Sequence, residues 1–145
     1  GTCSVVIGDF NSDEQLDLAT ANFYDHTISL LFGFGNGSFA NRTTYAAGYS
    51  PISLAVGNFN GDTRLDIAVV NADDNTVSVL LGHGNGSFID PVIYSTGLLP
   101  WFIALGDFNN DTRLDMAVAN FRDRTVSLFL GYANQAFVKQ STLIT

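Results

Sequence analysis

One stretch recurs three times in this chain at a fixed interval. GDFNSDEQLDLATANF begins at Gly8, GNFNGDTRLDIAVVNA at Gly57 and GDFNNDTRLDMAVANF at Gly106, with 49 residues between successive starts. A second motif keeps the same register: TISLLFGFGNGSF from Thr27, TVSVLLGHGNGSF from Thr76 and TVSLFLGYANQAF from Thr125. Pro51 and Pro100 hold equivalent places ahead of the strands that open their units. A strict period of this length marks one supersecondary unit stacked on copies of itself. The units are about 1–49, 50–98 and 99–145, free of insertions, and together they read as a single domain.

Each unit contains four short strand candidates. In the second they are ISLAVGNF from Ile52, DIAVVNA from Asp66, TVSVLLG from Thr76 and DPVIYSTG from Asp90. They are rich in Val, Ile, Leu and Thr and are separated by Gly, Asn and Asp clusters. No segment sustains a 3.6-residue apolar period, so no helix is expected. Val77, Val79, Leu80 and Leu81 put apolar side chains on both faces of one strand, whereas a sheet with one wet face alternates. Both faces must then be covered, which four-stranded units achieve by stacking face to face as β-propeller blades. The expected fold is all-β, with three four-stranded antiparallel blades. A twelve-stranded sandwich is the competing fold, and the strict repeat counts against it. Three blades are too few to close a ring. The expected closure is therefore by further blades of a longer chain or by self-association, with apolar blade faces uncovered until it happens.

The first repeated stretch places oxygen-bearing side chains at alternate positions, in the pattern D/N-x-N-x-D-x-x-x-D. The residues are Asp9, Asn11, Asp13 and Asp17, then Asn58, Asn60, Asp62 and Asp66, then Asp107, Asn109, Asp111 and Asp115. A hard cation such as Ca²⁺ takes six to eight oxygens. Offsets of two along a tight loop turn successive oxygens inward, and the backbone carbonyls of Gln15, Arg64 and Arg113 at the seventh position add one more. The loop is not an EF-hand: position twelve is Thr20, Val69 or Val118 rather than Glu, and the flanks are strands. Mg²⁺ usually keeps several waters, and Zn²⁺ wants the Cys or His these loops lack. Asx-turns explain one or two such residues per turn, but not four in fixed register three times over. The expectation is up to three Ca²⁺ ions, with weaker affinity at the second loop because neutral Asn58 leads it.

Charge fits this reading. The net charge is −8 with only 6 Lys and Arg, which disfavours nucleic acid and anionic membrane surfaces as partners. Eight of the 14 acidic residues stand at the proposed ligand positions, and three Ca²⁺ ions would bring −8 to −2. The apolar runs are too short for a membrane span, so no membrane insertion is expected. The opening GTCSVVIGDF lacks a basic n-region and a long apolar h-region, so no signal peptide is expected within it. The lone Cys3 rules out an internal disulfide; the expectation is burial as a small apolar residue, or pairing outside this chain.

GDFNNDTRLDMAVAN followed by strands of the TVSVLLGHGNGSF type resembles the FG-GAP/VCBS repeat, and the resemblance covers essentially the whole chain. It implies integrin α-like propeller blades, a loop that binds Ca²⁺ through the positions named above, and a place at the cell surface or outside the cell. Two features depart from the family pattern. The glycine common at the loop's sixth position is Glu14, Thr63 or Thr112 here, which strains the turn. The GNG hairpin becomes GYANQAF in the third unit, altering its last turn.

In an up-and-down blade the acidic loops and Gly-rich turns share one end. The other end carries the NFYDHT, NADDNT and NFRDRT turns and the connections between units, and these vary between repeats. Variation on a regular scaffold marks the candidate ligand end, where Phe23, Tyr24, Tyr49, Trp101, Phe121 and Arg122 are of the types that anchor interfaces and stack on sugars. The same residues are also suited to filling gaps between blades. The leading expectation is a non-enzymatic recognition or adhesion module for protein or glycan. The alternatives are part of a propeller hydrolase or lyase, and a structural spacer. Against an enzyme, His26 and His83 occupy non-equivalent positions and no Gly-x-Ser-x-Gly motif is present. Four N-x-S/T sequons occur, at Asn36, Asn41, Asn85 and Asn110, with Asn41 the favoured glycosylation position.

Overall fold

The computed structural model describes residues 1–132 and 137–144, of Gln140 and Ser141 the backbone alone. Twelve strands form three separate four-stranded sheets. The first contains β1 (Thr2–Gly8), β2 (Asp17–Asn22), β3 (Thr27–Leu31) and β4 (Thr43–Ala46). The second contains β5 (Pro51–Gly57), β6 (Asp66–Asn71), β7 (Thr76–Leu80) and β8 (Val92–Ser95). The third contains β9 (Pro100–Gly106), β10 (Asp115–Asn120), β11 (Thr125–Gly131) and β12 (Phe137–Ile144). Strands pair antiparallel in chain order within each sheet, as in propeller blades. The opening strands of successive blades lie side by side, β1 against β5 and β5 against β9. The molecule is an open, partial β-propeller of three blades. Among the described residues no helix is long and apolar enough to cross a membrane. The altered GYANQAF turn falls on residues 133–136, outside the described residues.

Two apolar cores hold the blades together. Between blades 1 and 2, Ala19, Ala21, Ile28 and Leu30 pack against Leu54, Ile67, Val69 and Leu80. Between blades 2 and 3, the residues shifted by one repeat, Ala68, Val70, Val77 and Val79, pack against Ile103, Met116, Val118 and Phe129. Blade 2 is thus covered on both sides, and every residue of β6 is buried. This is why its strands lack alternation in sequence. The outward faces of blades 1 and 3 are open instead: Val5, Ile7 and Leu16 on one, Phe102 and Phe108 on the other, all exposed.

Glycine sets the blade's loop end. A Cβ on Gly33, Gly82 or Gly131 would stand 2.2, 2.2 or 2.4 Å from the carbonyl oxygen of Leu16, Leu65 or Leu114. Only glycine lets the β3–β4 turn, or its equivalent, lie this close on the acidic loop.

The expectation that Cys3 is buried is corrected: it is exposed. The cause is a β-bulge that recurs in the opening strand of each blade. Pairing slips between Thr2 and Ser4, between Pro51 and Ser53, and between Pro100 and Phe102. Cys3, Ile52 and Trp101 are the residues left over. A bulged residue leaves the alternation of its strand, so its type no longer tells its side. The three come together along a shared groove with Ser4, Ser53 and Phe102.

Candidate metal loops and the opposite end of the blades

The acidic loops follow one plan. Asp9 accepts the Asp13 amide at 3.1 Å and the Glu14 amide at 2.8 Å. Asn11 Oδ1 accepts the same Asp13 amide at 3.2 Å, and Asp13 Oδ1 accepts the Gln15 amide at 2.8 Å. Asp107, Asn109 and Asp111 repeat the set at 3.1, 2.8, 3.1 and 2.9 Å. Positions one and three therefore converge on the position-five backbone amide in each loop. The second loop differs by one atom. Asn58 has an amide nitrogen where Asp has its second oxygen, and its Oδ1 takes the Gly61 amide at 2.8 Å besides that of Asp62. It cannot serve both positions as Asp9 does.

The sixth position has the left-handed backbone that its family glycine would favour. Glu14, Thr63 and Thr112 have φ of 65°, 71° and 69°. The strain expected from the missing glycine is therefore present, most plainly at the β-branched threonines.

The ninth position does more than the sequence pattern implies. Asp17, Asp66 and Asp115 are fully buried. Asp66 accepts the Phe59 amide at 2.7 Å and the Gly82 amide at 2.9 Å, one through each oxygen. Asp17 and Asp115 make the same pair of bonds. Each aspartate pins its acidic loop to the Gly-rich turn beside it. Burial pushes the Asp66 carboxyl above its ordinary range, opposed by the Gly82 and Phe59 amides and assisted by the charge of Asp62. At half-exposed Asp111 the balance is reversed: the Arg113 amide above all, with Asn109 and the Arg113 charge, holds the carboxyl low. The Arg113 and Arg64 side chains lean on the fifth-position carboxylates at 3.4 and 3.6 Å, a contact that sequence alone did not suggest.

This donor set suits a hard cation. It consists of carboxylate and amide oxygens with adjacent backbone carbonyls, and has no sulfur or imidazole. Asn11, Asn60 and Asn109 would add amide oxygens to the carboxylates at any such site. Backbone amides use one of the two lone pairs on each of these oxygens in the first and third loops, whereas Asn58 Oδ1 of the second loop already accepts two amides.

At the opposite end the six aromatic and basic residues do not form one site. Phe23 and Tyr24 meet edge to face at 5.1 Å on blade 1. Tyr49 packs on His26 at 4.8 Å, and its amide donates to Asp74 at 2.6 Å. Trp101 and Phe121 pair at 5.0 Å and line a groove of about 700 Å³ with Arg122 and Asn120. Tyr24, Tyr49, Trp101, Phe121 and Arg122 are exposed, and Phe23 is half-buried. Asn41 is exposed too.

A buried polar lattice supports this end. Asn22 Nδ2 donates to Thr27 Oγ1 at 3.1 Å and Ser29 Oγ at 2.7 Å; Asn71 and Asn120 do the same with Thr76 and Ser78, and with Thr125 and Ser127. The spacing N-x4-T-x-S, recurring at the repeat interval, is the sequence signal for it. The lattice is incomplete in blade 3. Asn71 Oδ1 accepts the Gly48 amide, but the equivalent Gly97 amide turns to Ser127, leaving Asn120 Oδ1 buried without a partner.

Fold and loops together define a repeat protein of four-stranded propeller blades, each with an acidic loop after its first strand. The chain belongs to the FG-GAP-like repeat family, whose model matches residues 9–69 and 58–118. No curated protein matches it. Among solved structures it is similar to the Photorhabdus luminescens Tc holotoxin pore, at 17% identity and a TM-score of 0.55 over 97% of this chain. A chain from BBS1N in complex with ARL6DN matches at 13% identity and a TM-score of 0.42, again over 97% of this chain. The chain spans 7% of the toxin chain and 55% of the other.

Proposed function

We propose that this chain is a calcium-stabilised recognition module for a protein or glycan outside the cell or at its surface. The observation that carries the reading is the contrast between the two ends of the blades. One end repeats one oxygen pattern three times, with Asn58 in place of Asp at the head of the second loop. The other places Trp101, Phe121 and Arg122 around a groove, on the blade whose buried Asn120 Oδ1 lacks a partner. Aromatic faces beside a guanidinium suit a sugar ring or a protein anchor.

Asp9, Asn11, Asp13 and Asp17 would hold the first ion with the Gln15 carbonyl, and their equivalents the other two. A bound Ca²⁺ supplies charge neutralisation and ties several loop oxygens together. Asp13 and Asp62 hold their loop's next turn in place through the Gln15 and Arg64 amides. Asp17, Asp66 and Asp115 link that loop to the neighbouring turn, so order in the loop reaches β3, β7 and β11. This is scaffolding, not chemistry: both oxygens of these buried carboxylates are engaged by backbone amides, which suits neither general acid nor general base.

The test is binding to a glycan array and to candidate surface proteins, in Ca²⁺ and in excess chelator. Specific binding that falls at least tenfold in Trp101→Ala and weakens in chelator is expected. Turnover of a polysaccharide panel, or binding that Trp101→Ala and Phe121→Ala leave unchanged, would overturn the reading.

A further inference from the structure

Ser50 ties the connection between blades 1 and 2 to both of them. It is buried, and its backbone is left-handed, φ 56°. Its carbonyl accepts the Ala72 amide at 3.0 Å and its hydroxyl donates to Asp73 Oδ2, both on blade 2. Its amide points the other way and donates to His26 Nδ1 on blade 1 at 3.0 Å. The His26 carbonyl accepts the Ala47 amide at 3.0 Å, and its ring meets Tyr49 edge to face. A backbone amide can donate only to a ring nitrogen without a hydrogen, so the neutral imidazole carries its hydrogen on Nε2.

The connection between blades 2 and 3 is built alike, with a different acceptor. Asn75 Oδ1 accepts the Leu99 amide at 2.7 Å, and the Asn75 carbonyl accepts the Thr96 amide at 2.9 Å. The Leu99 carbonyl accepts the Phe121 amide at 2.9 Å. His26 and Asn75 share left-handed backbone, φ 54° and 56°. Asp74 and Asp123 likewise accept the Tyr49 and Leu98 amides. The two joints therefore differ in how they meet a proton. A carboxamide oxygen accepts at any ordinary pH. An imidazole nitrogen accepts only while unprotonated, and histidine is the side chain that ordinarily gains its proton between about pH 5 and about pH 8.

We propose that His26 is an acid-operated latch: a proton on Nδ1 takes away the acceptor of the Ser50 amide and releases the 48–50 segment, while the Asn75–Leu99 joint stays closed. The proton comes from solvent, and two N–H groups then face each other across the former bond. The titratable groups around the ring are Tyr49 on the connection, Asp74 in the same hollow, Asp73 on the Ser50 hydroxyl and Asp25 beside His26 in its own turn. The lost hydrogen bond disfavours the imidazolium, and the three carboxylates stabilise it once formed. The released segment carries Tyr49, 61% exposed at the variable end of the blades, so acid loosens that surface at one joint and spares the other. The latch is independent of the proposed calcium and ligand roles.

Amide hydrogen exchange followed by NMR at about pH 7.5 and about pH 5, corrected for the intrinsic pH dependence of exchange, tests it. The Ser50 amide should lose at least about tenfold of its protection in acid, and the Leu99 amide less than about twofold. His26→Asn installs the acceptor of the next joint, so Ser50 should be equally protected at both pH values. His26→Ala should leave Ser50 unprotected at both. A parent chain whose Ser50 amide is as protected at the lower pH as at the higher would overturn the proposal. Equal losses at Ser50 and Leu99 would also overturn it, since they mark a general loosening. So would a folded His26→Asn variant that still loses Ser50 protection in acid, because the titrating group would then be another.

Discussion

Thr63 and Thr112 sit in left-handed backbone, φ 71° and 69°, where a β-branched side chain is strained. Thr63→Gly or Thr112→Gly is expected to raise stability by about 1 kcal/mol, the relief of that strain less glycine's added entropy in the unfolded chain, read from the urea midpoint. The buried aspartates set the opposite demand. Asp115→Ala leaves the Phe108 and Gly131 amides without their acceptor, and a loss of about 3 kcal/mol is expected by the same measurement. A third prediction concerns acid. The Leu98 amide, then the Thr125 hydroxyl, hold the exposed Asp123 carboxyl below its ordinary value. A depressed folded value means the carboxylate stabilises the fold above its unfolded pKa of about 3.9, and that this contribution is lost as pH falls through the folded value. Asp123→Asn should therefore lose less stability than the parent between about pH 5 and about pH 3, monitored by urea unfolding at each pH.

At the level of elements, the acidic loop and the Gly-rich turn act as one unit. Gly82 is where they touch: its amide donates to Asp66, and a Cβ there would meet the Leu65 carbonyl at 2.2 Å. Gly61, unlike Gly82, has a left-handed φ, 78°, with open space around it. Gly82→Ala is thus expected to cost more than about 2 kcal/mol because backbone must move, and Gly61→Ala about 1 kcal/mol from φ alone. Thermal melts of the two variants side by side check the order. Much of this element was legible in sequence. The strands, the shared end of loop and turn, and the misfit of Thr at the sixth position follow from residue types at fixed spacing. The clamp made by Asp17, Asp66 and Asp115 was not separable from a ligand role, because a buried acceptor and a metal ligand ask for the same carboxylate. The Asn22, Thr27 and Ser29 lattice was written in the repeat but shared its residue types with any polar turn. The bulge at Cys3, Ile52 and Trp101 was out of reach, since a bulge arises from the pairing of two strands and not from the type of the residue displaced.

In the whole molecule, repetition accounts for both cohesion and incompleteness. Shifting each inter-blade contact by one repeat reproduces the next, from Phe10 with Phe88 to Phe59 with Phe137. The same shift leaves Leu16 and Phe108 open at the two ends. The 49-residue period foretold the blades and the apolar faces. It did not foretell that the candidate ligand residues would divide into three patches, because side chains at the variable end follow bulges and connections that no repeat fixes. In the proposed function, the loops at Asp9, Asn58 and Asp107 bind calcium and the fold draws stability from it. Thermal unfolding of the parent chain at constant protein concentration, with millimolar Ca²⁺ and with excess chelator, tests this most directly. Binding well above Kd should raise the melting temperature by at least about 5 °C over the chelated protein. Identical melting temperatures in the two conditions would contradict it.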